Sequence, residues 1–540
     1  MKRTTGRSAL MVLLVLAACC TLGGIIGGRA RAEADKSDAL LQSFGRALAI
    51  VEENYVGKVE SKAMVEDAVQ GMLHTLDPHS NYLDKDAYNE MKDEQRGKFF
   101  GLGIQINKPG PDKPLTIIAP IDGTPASRAG LQAGDIISRI EGSDTISLSV
   151  QEAVRRLKGE KGTKVTITIQ RPREDAPFDV TLIRDEIPTH SITLAYMVRP
   201  GTGFIRLANF TSTTATELDE AVKHLEAQGM ARLILDLRRN PGGLLEQAVQ
   251  VAERFIPAGK MIVYTRGRVP GSDQDYPAAK DVDRIDAPLV VLVDHASASA
   301  SEIVSGAIQD HDRGLVVGET TFGKGLVQRV IPLHGGGAVA LTTAKYFTPS
   351  GRLIQRDYSD LDDYFLEPEE EAEAPAAEAQ PAPDRRETKH TDSGRTVYGG
   401  GGITPDYVVR AERALPVLSR LVRDNLILDF AVRYVPAHPD LKPEVPVDAA
   451  FRDEVRHFLE SKSIPFDAAM ETAWPQVELQ LRAQIAKVKW GVEAQNRILS
   501  DADPQVRKAL TLFDEASRLA AAGERSREVR ERASSPASSI

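Results

Sequence analysis

Three polar side chains between Asp294 and Gln328 have the types and spacing of a nucleophile and its base. Ser299 follows an apolar run typical of a buried strand, at the point where a helix should begin. Lys324 comes 25 residues later between two glycines, and Gln328 follows after four more residues. A serine hydroxyl is a weak nucleophile until a base takes its proton, and a lysine becomes such a base when burial lowers its pKa. The segment therefore offers a nucleophile, a base and a short loop to aim them.

Each of these residues taken alone also fits an ordinary structural role. Serines that alternate with alanines at positions 297, 299 and 301 also occur in small-residue turns with an N-cap serine. A single lysine is usually a solvated surface charge. Ser297 and Ser301 are therefore the neighbouring alternatives to Ser299, and the pairing of Ser299 with Lys324 carries the chemical interpretation.

A histidine base is a second alternative for the same serine. The candidates near Ser299 in sequence are His295 and His311, with Asp294, Asp310 or Asp312 to orient the imidazole. The residues alone do not exclude this arrangement. A pH–rate profile with the pKa of a histidine would favour it.

Strand and helix patterns alternate from Gly203 to Ile354, which predicts an α/β layer fold for residues 188–410. The apolar run Arg232–Leu237 precedes an Asn-Pro-Gly-Gly turn and a helix. The run Leu289–Val293 precedes the helix that should begin at Ser299.

A different pattern covers residues 98–187, where short β-type runs are separated by turns rich in glycine and proline. It opens with Phe100-Gly101-Leu102-Gly103-Ile104, in which glycines let backbone N–H groups converge on a peptide carboxylate. The stretch Pro125–Ile137 resembles the Ala-Gly-Leu…Gly-Asp element of bacterial PDZ domains, and a helix over Ser149–Leu157 would form the other wall of the groove. The alternative is a small β-domain without a peptide groove.

Residues 1–32 have the pattern of a targeting segment. A basic start with Lys2, Arg3 and Arg7 precedes an uncharged apolar stretch, Ala9–Ile26, and an A-x-A site at residues 30–32. A cleaved signal peptide, an uncleaved membrane anchor and a lipoprotein signal at Cys19 all fit, and all three predict an exported or periplasmic protein.

Charge and cysteine content exclude several classes of function. The net charge is −10, and cleavage after Ala32 would remove five basic residues and bring it to −15, which argues against nucleic acid as a partner. The only cysteines, Cys19 and Cys20, would leave with the same segment. The remaining chain would then lack disulfides, thiol catalysis and cysteine-bound metal.

The outer segments are predicted to be helical. Residues 35–97 have helical periodicity, with one helix over residues 63–76, and residues 411–540 are mostly helical, as plain packing helices or as a surface for oligomerisation or an adaptor protein. Between the core segments, residues 367–390 read as a disordered acidic, Pro- and Ala-rich insert.

The chain resembles the C-terminal processing peptidases, also called tail-specific proteases, over roughly Asp35 to Val409. The motifs that carry the resemblance are LDPHS at 76–80, the PDZ-like unit, DLRRNPGG at 236–243, SASASE at 297–302, GETTFGKG at 318–325, PSGRLIQ at 349–355 and GGGGITPD at 399–406. The acidic insert interrupts the spacing between the last two motifs.

The resemblance implies an exported serine endopeptidase with a Ser299–Lys324 dyad, in which Gln328 positions the lysine. It implies a peptidase core of the ClpP/crotonase type, a PDZ domain that captures protein C-terminal tails, and no metal or organic cofactor. The backbone N–H groups of Gly243, Gly242 and Ala300 are the candidates for the oxyanion hole. A catalytically inactive scaffold that only binds tails is the alternative from another class.

Overall fold

The computed structural model describes residues 38–534, except for residues 109, 111, 172–173, 281, 362–363, 365–386, 444 and 446. The predicted targeting segment and the acidic run at 367–384 therefore lie outside the described residues. Within the described part of the chain, no helix is both long and apolar enough to cross a membrane.

The described chain divides into two compact units after Asp77. The first unit contains helix α1 over residues 38–54 and helix α2, Ser61–His74, close to the helices that the periodicity predicts. The second unit begins with strand β1, Asn81–Leu83, and helix α3, Lys85–Gln95, which Asp84 caps. Strand β1 was not predicted, because three residues are too few to show a period.

The predicted PDZ unit consists of a six-stranded antiparallel sheet, a separate antiparallel pair formed by its first and last strands, and one eight-residue helix. Its buried side chains alternate along the strands, as in β7, where Val165, Ile167 and Ile169 are fully buried. The elements are β2 Lys98–Gly101, β3 Ile104–Asn107, β4 Leu115–Pro120, α4 Pro125–Arg128, β5 Ile136–Ile140, β6 Ser143–Asp144, α5 Val150–Leu157, β7 Lys164–Gln170, β8 Phe178–Ile183 and β9 Asp185–Pro188.

A six-stranded sheet forms the centre of the predicted α/β core, which confirms the fold class. Its strands β11, β12, β15, β16 and β21 run parallel, and β10 pairs antiparallel with β11. Helices α6, α7 and α8 pack on one face around Leu218, Ala248 and Val304. The bounds are β10 Ile192–Arg199, β11 Thr202–Leu207, α6 Thr214–Ala227, β12 Arg232–Asp236, α7 Leu245–Glu253, β15 Leu289–Val293, α8 Ala300–Asp310, β16 Leu315–Gly318 and β21 Tyr407–Val408.

The opposite face of this sheet is covered by two helices from the end of the described chain. Helix α14, Pro504–Leu510, and helix α15, Phe513–Ser534, pack Val506 and Phe513 against strand residues such as Leu292. The predicted boundary at residue 411 is therefore not the end of the core. A parallel sheet needs cover on both faces, and here the second layer comes from the distant C-terminal segment.

A second, antiparallel sheet stands beside the central one. Its long strand β18, Ala338–Phe347, pairs with β1, with β13, Met261–Arg266, and with β17, Leu326–Pro332; β13 also pairs with β14, Gln274–Pro277. Strand β17 begins two residues after Lys324, so its pairing with β18 fixes the C-terminal end of the loop that carries this lysine.

The other C-terminal helices form a separate hydrophobic cluster around Phe430, Phe451 and Val477. They are α9 Pro416–Arg423, α10 Leu426–Ala437, α11 Ala449–Ser461, α12 Ala468–Trp490 and α13 Val492–Ala502. The predicted insert ends too late: Thr388–His390 already form strand β19, which pairs with β20, Thr396–Tyr398. Strand β20 provides the backbone hydrogen-bond partners of β19, and the polar sequence gave no sign of this pairing.

Helix α8 is held at its far end by a buried ion pair. Arg352 is fully buried and donates to the Asp310 carboxylate, to Gln309 Oε1 at 3.1 Å and to the Tyr398 carbonyl at 3.2 Å. We predict that Arg352→Met lowers the free energy of unfolding by about 3–5 kcal/mol, because Asp310 then stays buried without its cation.

The measurement is urea unfolding followed by tryptophan fluorescence and circular dichroism. The matched control is Arg497→Met, which removes an exposed ion pair with Glu493 and should cost less than about 0.5 kcal/mol. Equal destabilisation by the two substitutions would contradict the role assigned to Arg352.

Candidate active site

Three neighbouring parallel strands, β12, β15 and β16, end at the same edge of the central sheet. The loop after β12 carries the two adjacent glycines at 242–243, the turn after β15 carries Ser299, and the loop after β16 carries Lys324. The carboxyl ends of parallel strands are the usual location of functional groups in such sheets. The topology therefore collects the three predicted segments at one place.

Ser299 occupies a tight turn between β15 and α8. It is the N-cap of α8, and its φ of 55° lies in the left-handed region that a non-glycine residue seldom adopts. Ser299 is partly exposed, whereas Ser297 and Ser301 are fully buried. The Ser297 hydroxyl donates to the Leu237 carbonyl at 2.8 Å and the Ser301 hydroxyl to the Asn240 carbonyl at 2.9 Å. Of the three serines, Ser299 is thus the one that solvent reaches.

The glycine loop lies directly against this turn. A Cβ atom added to Gly242 would come within 2.8 Å of Ser299 Cβ and 2.9 Å of Ala300 N, so only glycine fits there. The Gly242 N–H donates to Asn240 Oδ1 at 2.9 Å. The N–H groups of Gly243 and Ala300 have no acceptor among the residues that the structure describes.

One buried carboxylate joins the serine turn to the lysine loop. Glu302 Oε2 accepts the Ser299 N–H at 2.8 Å and the Lys324 N–H at 2.9 Å, so the two nitrogens lie within about 6 Å of each other. Glu302 Oε1 accepts the Gly323 N–H at 2.7 Å and the Thr321 hydroxyl at 2.5 Å.

A buried tyrosine makes a second connection between the same two residues. The Tyr346 hydroxyl lies 3.1 Å from the Ser299 carbonyl and also contacts the Lys324 carbonyl. Tyr346 is 1% exposed, and burial raises its pKa well above the usual tyrosine value, so it acts as a neutral donor. Lys324 itself is half-buried. Ser299 and Lys324 are therefore held together by one bridge at their N–H groups and another at their carbonyls.

Burial raises the pKa of the Glu302 carboxyl to about 7, although the four hydrogen bonds that it accepts lower the pKa. The carboxylate is fully buried. Its charge is stabilised by N–H and O–H dipoles, which is the arrangement that a buried anion needs.

Gln328 lies on β17, next to a register irregularity between Val327 and Gln328. Its Nε2 donates to Thr342 Oγ1 on the neighbouring strand at 3.2 Å. Gln328 is half-buried and follows the lysine loop directly.

The histidines predicted as alternative bases have other partners. His311 follows the last residue of α8, so the helix rise places it about 18 Å from Ser299. Its Nδ1 contacts Asp392 at 2.9 Å and its Nε2 the Met261 carbonyl at 2.7 Å. His295 Nδ1 lies 3.4 Å from Glu319 Oε2.

The aspartates of that alternative are also occupied. Asp294 accepts the Arg239 N–H at 2.9 Å, Asp310 pairs with Arg352, and Asp312 pairs with Arg395 at 2.7 Å.

The predicted carboxylate-binding loop lies between β2 and β3 of the PDZ unit. Gly103 has a φ of 74°, and a Cβ atom there would lie 2.4 Å from Thr124 Cβ. The Leu102 and Gly103 N–H groups donate to no other residue in the described part of the chain, while the Leu102 carbonyl accepts the Ala126 N–H at 3.0 Å. Phe100 lies on β2, and Ile104 begins β3, beside which a peptide strand would add.

Sequence reasoning missed the roles of Glu302 and Tyr346. Glu302 stands three residues after Ser299, which is the spacing of a capping box, and this signal could have identified it. Tyr346 lies on a strand 47 positions after Ser299, and no local pattern marks it.

Comparison with known proteins identifies three matching regions. The profile of peptidase family S41 matches residues 201–362, the PDZ domain profile matches residues 90–170, and the profile named "Activating protease CtpB N-terminal domain" matches residues 27–87. The PDZ match begins and ends earlier than the predicted 98–187.

Curated relatives are similar over most of their own length. A carboxy-terminal-processing protease of Bartonella bacilliformis is 41% identical over 58% of this chain and 72% of that protein. The carboxy-terminal processing protease CtpA of Bacillus subtilis is 33% identical over 78% of this chain and 86% of that protein. The solved structure of a photosystem II D1 C-terminal processing protease is 31% identical over 57% of this chain and 83% of that chain, with a TM-score of 0.33.

The raised pKa of Glu302 predicts a pH dependence of stability. Between the ordinary carboxyl pKa and about pH 7, the folded protein keeps a proton on Glu302 that the unfolded chain releases. The contribution of this group to the free energy of unfolding is therefore fully present at low pH and is lost as the pH rises to about 7. Glu302→Gln removes the titratable carboxyl and with it this pH dependence.

Urea unfolding of the wild type and of Glu302→Gln between pH 5 and pH 8 measures the effect. The unfolding free energy of the wild type minus that of Glu302→Gln should fall as the pH rises across this range and level off above about pH 7. Glu319→Gln, a half-buried glutamate paired with His295, is the matched control. A difference that does not vary with pH would contradict the assignment.

Proposed function

Since this chain belongs to the C-terminal processing proteases of peptidase family S41, we propose that its serine-type peptidase activity resides in Ser299 and Lys324. The single observation that carries this assignment is the Glu302 carboxylate, whose Oε2 binds the backbone N–H of both residues. Three further observations support the dyad: the short distance between the backbone nitrogens of Ser299 and Lys324, the exposure of Ser299, and the strained turn that carries this serine. The ordinary partners of the two nearby histidines support lysine as the base.

The proposed reaction is acyl transfer in two steps. Neutral Lys324 takes the Ser299 proton as the oxygen attacks the scissile carbonyl, and the lysine returns the proton to the leaving amine when the peptide bond breaks. Water then attacks the acyl-enzyme with the same lysine as base, which releases the new C-terminus and restores Ser299. Gln328 and the loop 321–325 position the lysine in both steps.

The oxyanion is stabilised by backbone N–H groups beside the serine. Gly243 and Ala300 are the proposed donors, because their N–H groups are left without a protein acceptor, whereas the Gly242 N–H is taken by Asn240. Ala300 is the first residue of α8, so the helix dipole also favours negative charge there. Gly242 contributes by letting the loop approach Ser299 Cβ.

The PDZ domain supports binding of peptide C-termini, and we propose that it captures substrate tails through the N–H groups of Leu102 and Gly103. Strand β3 and helix α5 would receive the tail between them. The targeting pattern of residues 1–32 supports export, with the C-terminal tails of exported proteins as substrates. An adaptor protein and a homo-oligomer remain predictions from the helical region after residue 411.

We predict that Ser299→Ala and Lys324→Ala each lower kcat/KM for a peptide with a free apolar C-terminus by at least about 1,000-fold, since neither half of a dyad works alone. Ser359→Ala and Lys345→Ala, exposed residues of the same types, are the controls and should keep wild-type rates. Cleavage that survives Lys324→Ala but is lost in His295→Ala would replace the lysine with a histidine base.

Tail capture is tested by binding to Ser299→Ala, which should not cleave its ligand. An amidated peptide should bind at least about tenfold more weakly than its free-carboxylate twin in fluorescence anisotropy, because the loop N–H groups lose a charged acceptor. Gly103→Ala should abolish the difference by displacing Thr124, whereas Gly130→Ala, with a similar φ of 73° but open space around it, should keep it. Equal affinity for both peptides in the Ser299→Ala protein would refute carboxylate capture.

A further inference from the structure

The turn Pro78-His79-Ser80 contacts the active-site edge, yet the proposed reaction assigns it no role. It lies at the start of the second unit, immediately before β1. Ser80 of the turn is fully buried, and so is Tyr364, which His79 contacts. Two hydrogen-bond chains lead from this turn, one to Gln328 and one to the loop that carries Lys324.

The first chain begins at Ser80. Its Oγ accepts the backbone N–H of Thr342 at 3.1 Å, and Thr342 Oγ1 accepts the Gln328 side-chain amide at 3.2 Å. Ser80 therefore fixes the strand position whose hydroxyl orients Gln328. The pairing of Asn81 with Ala340 continues the same contact along β1 and β18.

The second chain begins at His79. The Gly325 N–H donates to Gln355 Oε1 at 2.8 Å, Gln355 Nε2 donates to Tyr364 Oη at 3.3 Å, and Tyr364 Oη lies 2.6 Å from His79 Nε2. Gly325 directly follows Lys324, so this chain ends at the lysine loop.

The directions of the first two bonds in the second chain are determined. A backbone N–H must donate, so Gln355 presents its oxygen to Gly325 and its NH2 group to Tyr364 and to the Arg356 carbonyl at 2.8 Å. The Tyr364 oxygen therefore accepts from Gln355. In the tautomer whose Nε2 carries no proton, His79 accepts the Tyr364 hydrogen. The chain is complete when Nε2 is an acceptor.

Packing holds the other side of the lysine loop against the same tyrosine. The Phe322 ring meets the Tyr364 ring edge-on at 5.3 Å, and the Arg356 guanidinium lies 4.9 Å from the Phe322 ring centre. Arg356 also donates to the Phe322 carbonyl at 2.8 Å. Tyr364 thus contacts residues on both sides of Lys324 in the chain, directly through Phe322 and through Gln355 at Gly325.

We propose that the Pro78–Ser80 turn is a positioning element for the lysine half of the active site, acting through Tyr364 and Gln355 on Lys324 and through Thr342 on Gln328. The inference rests on the proposed Ser299–Lys324 dyad. The two hydrogen-bond chains lead from the turn to the lysine loop and to Gln328. Its loss should slow the proton transfers while leaving tail capture by the PDZ domain unchanged.

The test compares kcat, KM, tail binding and thermal midpoint for Tyr364→Phe and Ser80→Ala in the full chain. Each variant should lower kcat about tenfold or more with KM and tail affinity within about twofold of wild type, because a small displacement of the base affects the chemical step. The matched controls are Tyr358→Phe, which alters a neighbouring ring of the same cluster, and Ser500→Ala, which removes a buried hydroxyl that bonds Tyr196. Both controls should keep wild-type kcat.

Substitutions of His79 separate a directed hydrogen bond from simple packing. His79→Gln can place an amide oxygen near the position of Nε2 and should retain kcat within about threefold, whereas His79→Leu should match Tyr364→Phe. The double variant His79→Leu/Tyr364→Phe should be no slower than the slower single variant, since both break one chain.

Wild-type kcat in Tyr364→Phe and Ser80→Ala, at unchanged thermal midpoints, would overturn the proposal. A fall in kcat that only follows a lowered thermal midpoint, with no difference between His79→Gln and His79→Leu, would also overturn it. Failure of the dyad itself is recognised separately, because Lys324→Ala would then remain active whatever the turn variants do.

Discussion

The geometry of the candidate site depends on one buried carboxylate. Glu302 accepts hydrogen bonds from Ser299, Thr321, Gly323 and Lys324, so a single side chain closes the turn after β15 onto the loop after β16. A buried carboxylate without hydrogen-bond donors would cost several kcal/mol. Here four donors satisfy it, and their bonds to one side chain fix the two segments, the serine turn and the lysine loop, relative to each other. Neither glutamine nor aspartate at position 302 could accept all four hydrogen bonds. Glutamine would direct an NH2 group at two of the donors, and the shorter side chain of aspartate would not reach them.

The rest of the core is arranged so that this constraint acts on a rigid support. Every residue of α8 is buried, and both ends of the helix are fixed, by Glu302 in the first turn and by the Arg352–Asp310 pair in the last. The glycine loop is fixed from the other face of the sheet, because Arg238 joins the buried Asp236 to Asp503 at the start of α14. The C-terminal helices are therefore part of the scaffold of the site.

Much of this arrangement could be predicted from sequence, and the remainder has a common physical reason for being missed. The strands before the glycine loop and Ser299 are apolar runs with clear ends, and the fold class follows from their alternation with helices. The segments at 236–243, 297–302 and 318–325 were also found as motifs. What escaped prediction is long-range: β1 pairs with β18 across more than 250 positions, α14 and α15 cover the central sheet, and Tyr346 and Tyr364 act through contacts that no local period encodes. The roles of the two tyrosines depend on how deeply they are buried and on which residues they contact, and the residue type alone does not reveal either.

The two halves of the site are stabilised in different ways, and this difference has a functional consequence. Ser299 projects from strands and a helix that are buried on all sides, so its position is as stable as the core itself. Lys324 and Gln328 belong to a loop and to β17, a strand whose residues after Leu326 are half-buried or exposed. The free energy of local unfolding rises with the density of buried contacts, so the lysine half of the site should open at a lower free-energy cost than the serine half. The proposed acyl transfer requires both halves at once. In the proposed dyad, the hydrogen bonds that hold the lysine half, to Glu302, Tyr346, Gln355 and Thr342, therefore determine how often the two residues come together, while the buried core keeps the serine in place.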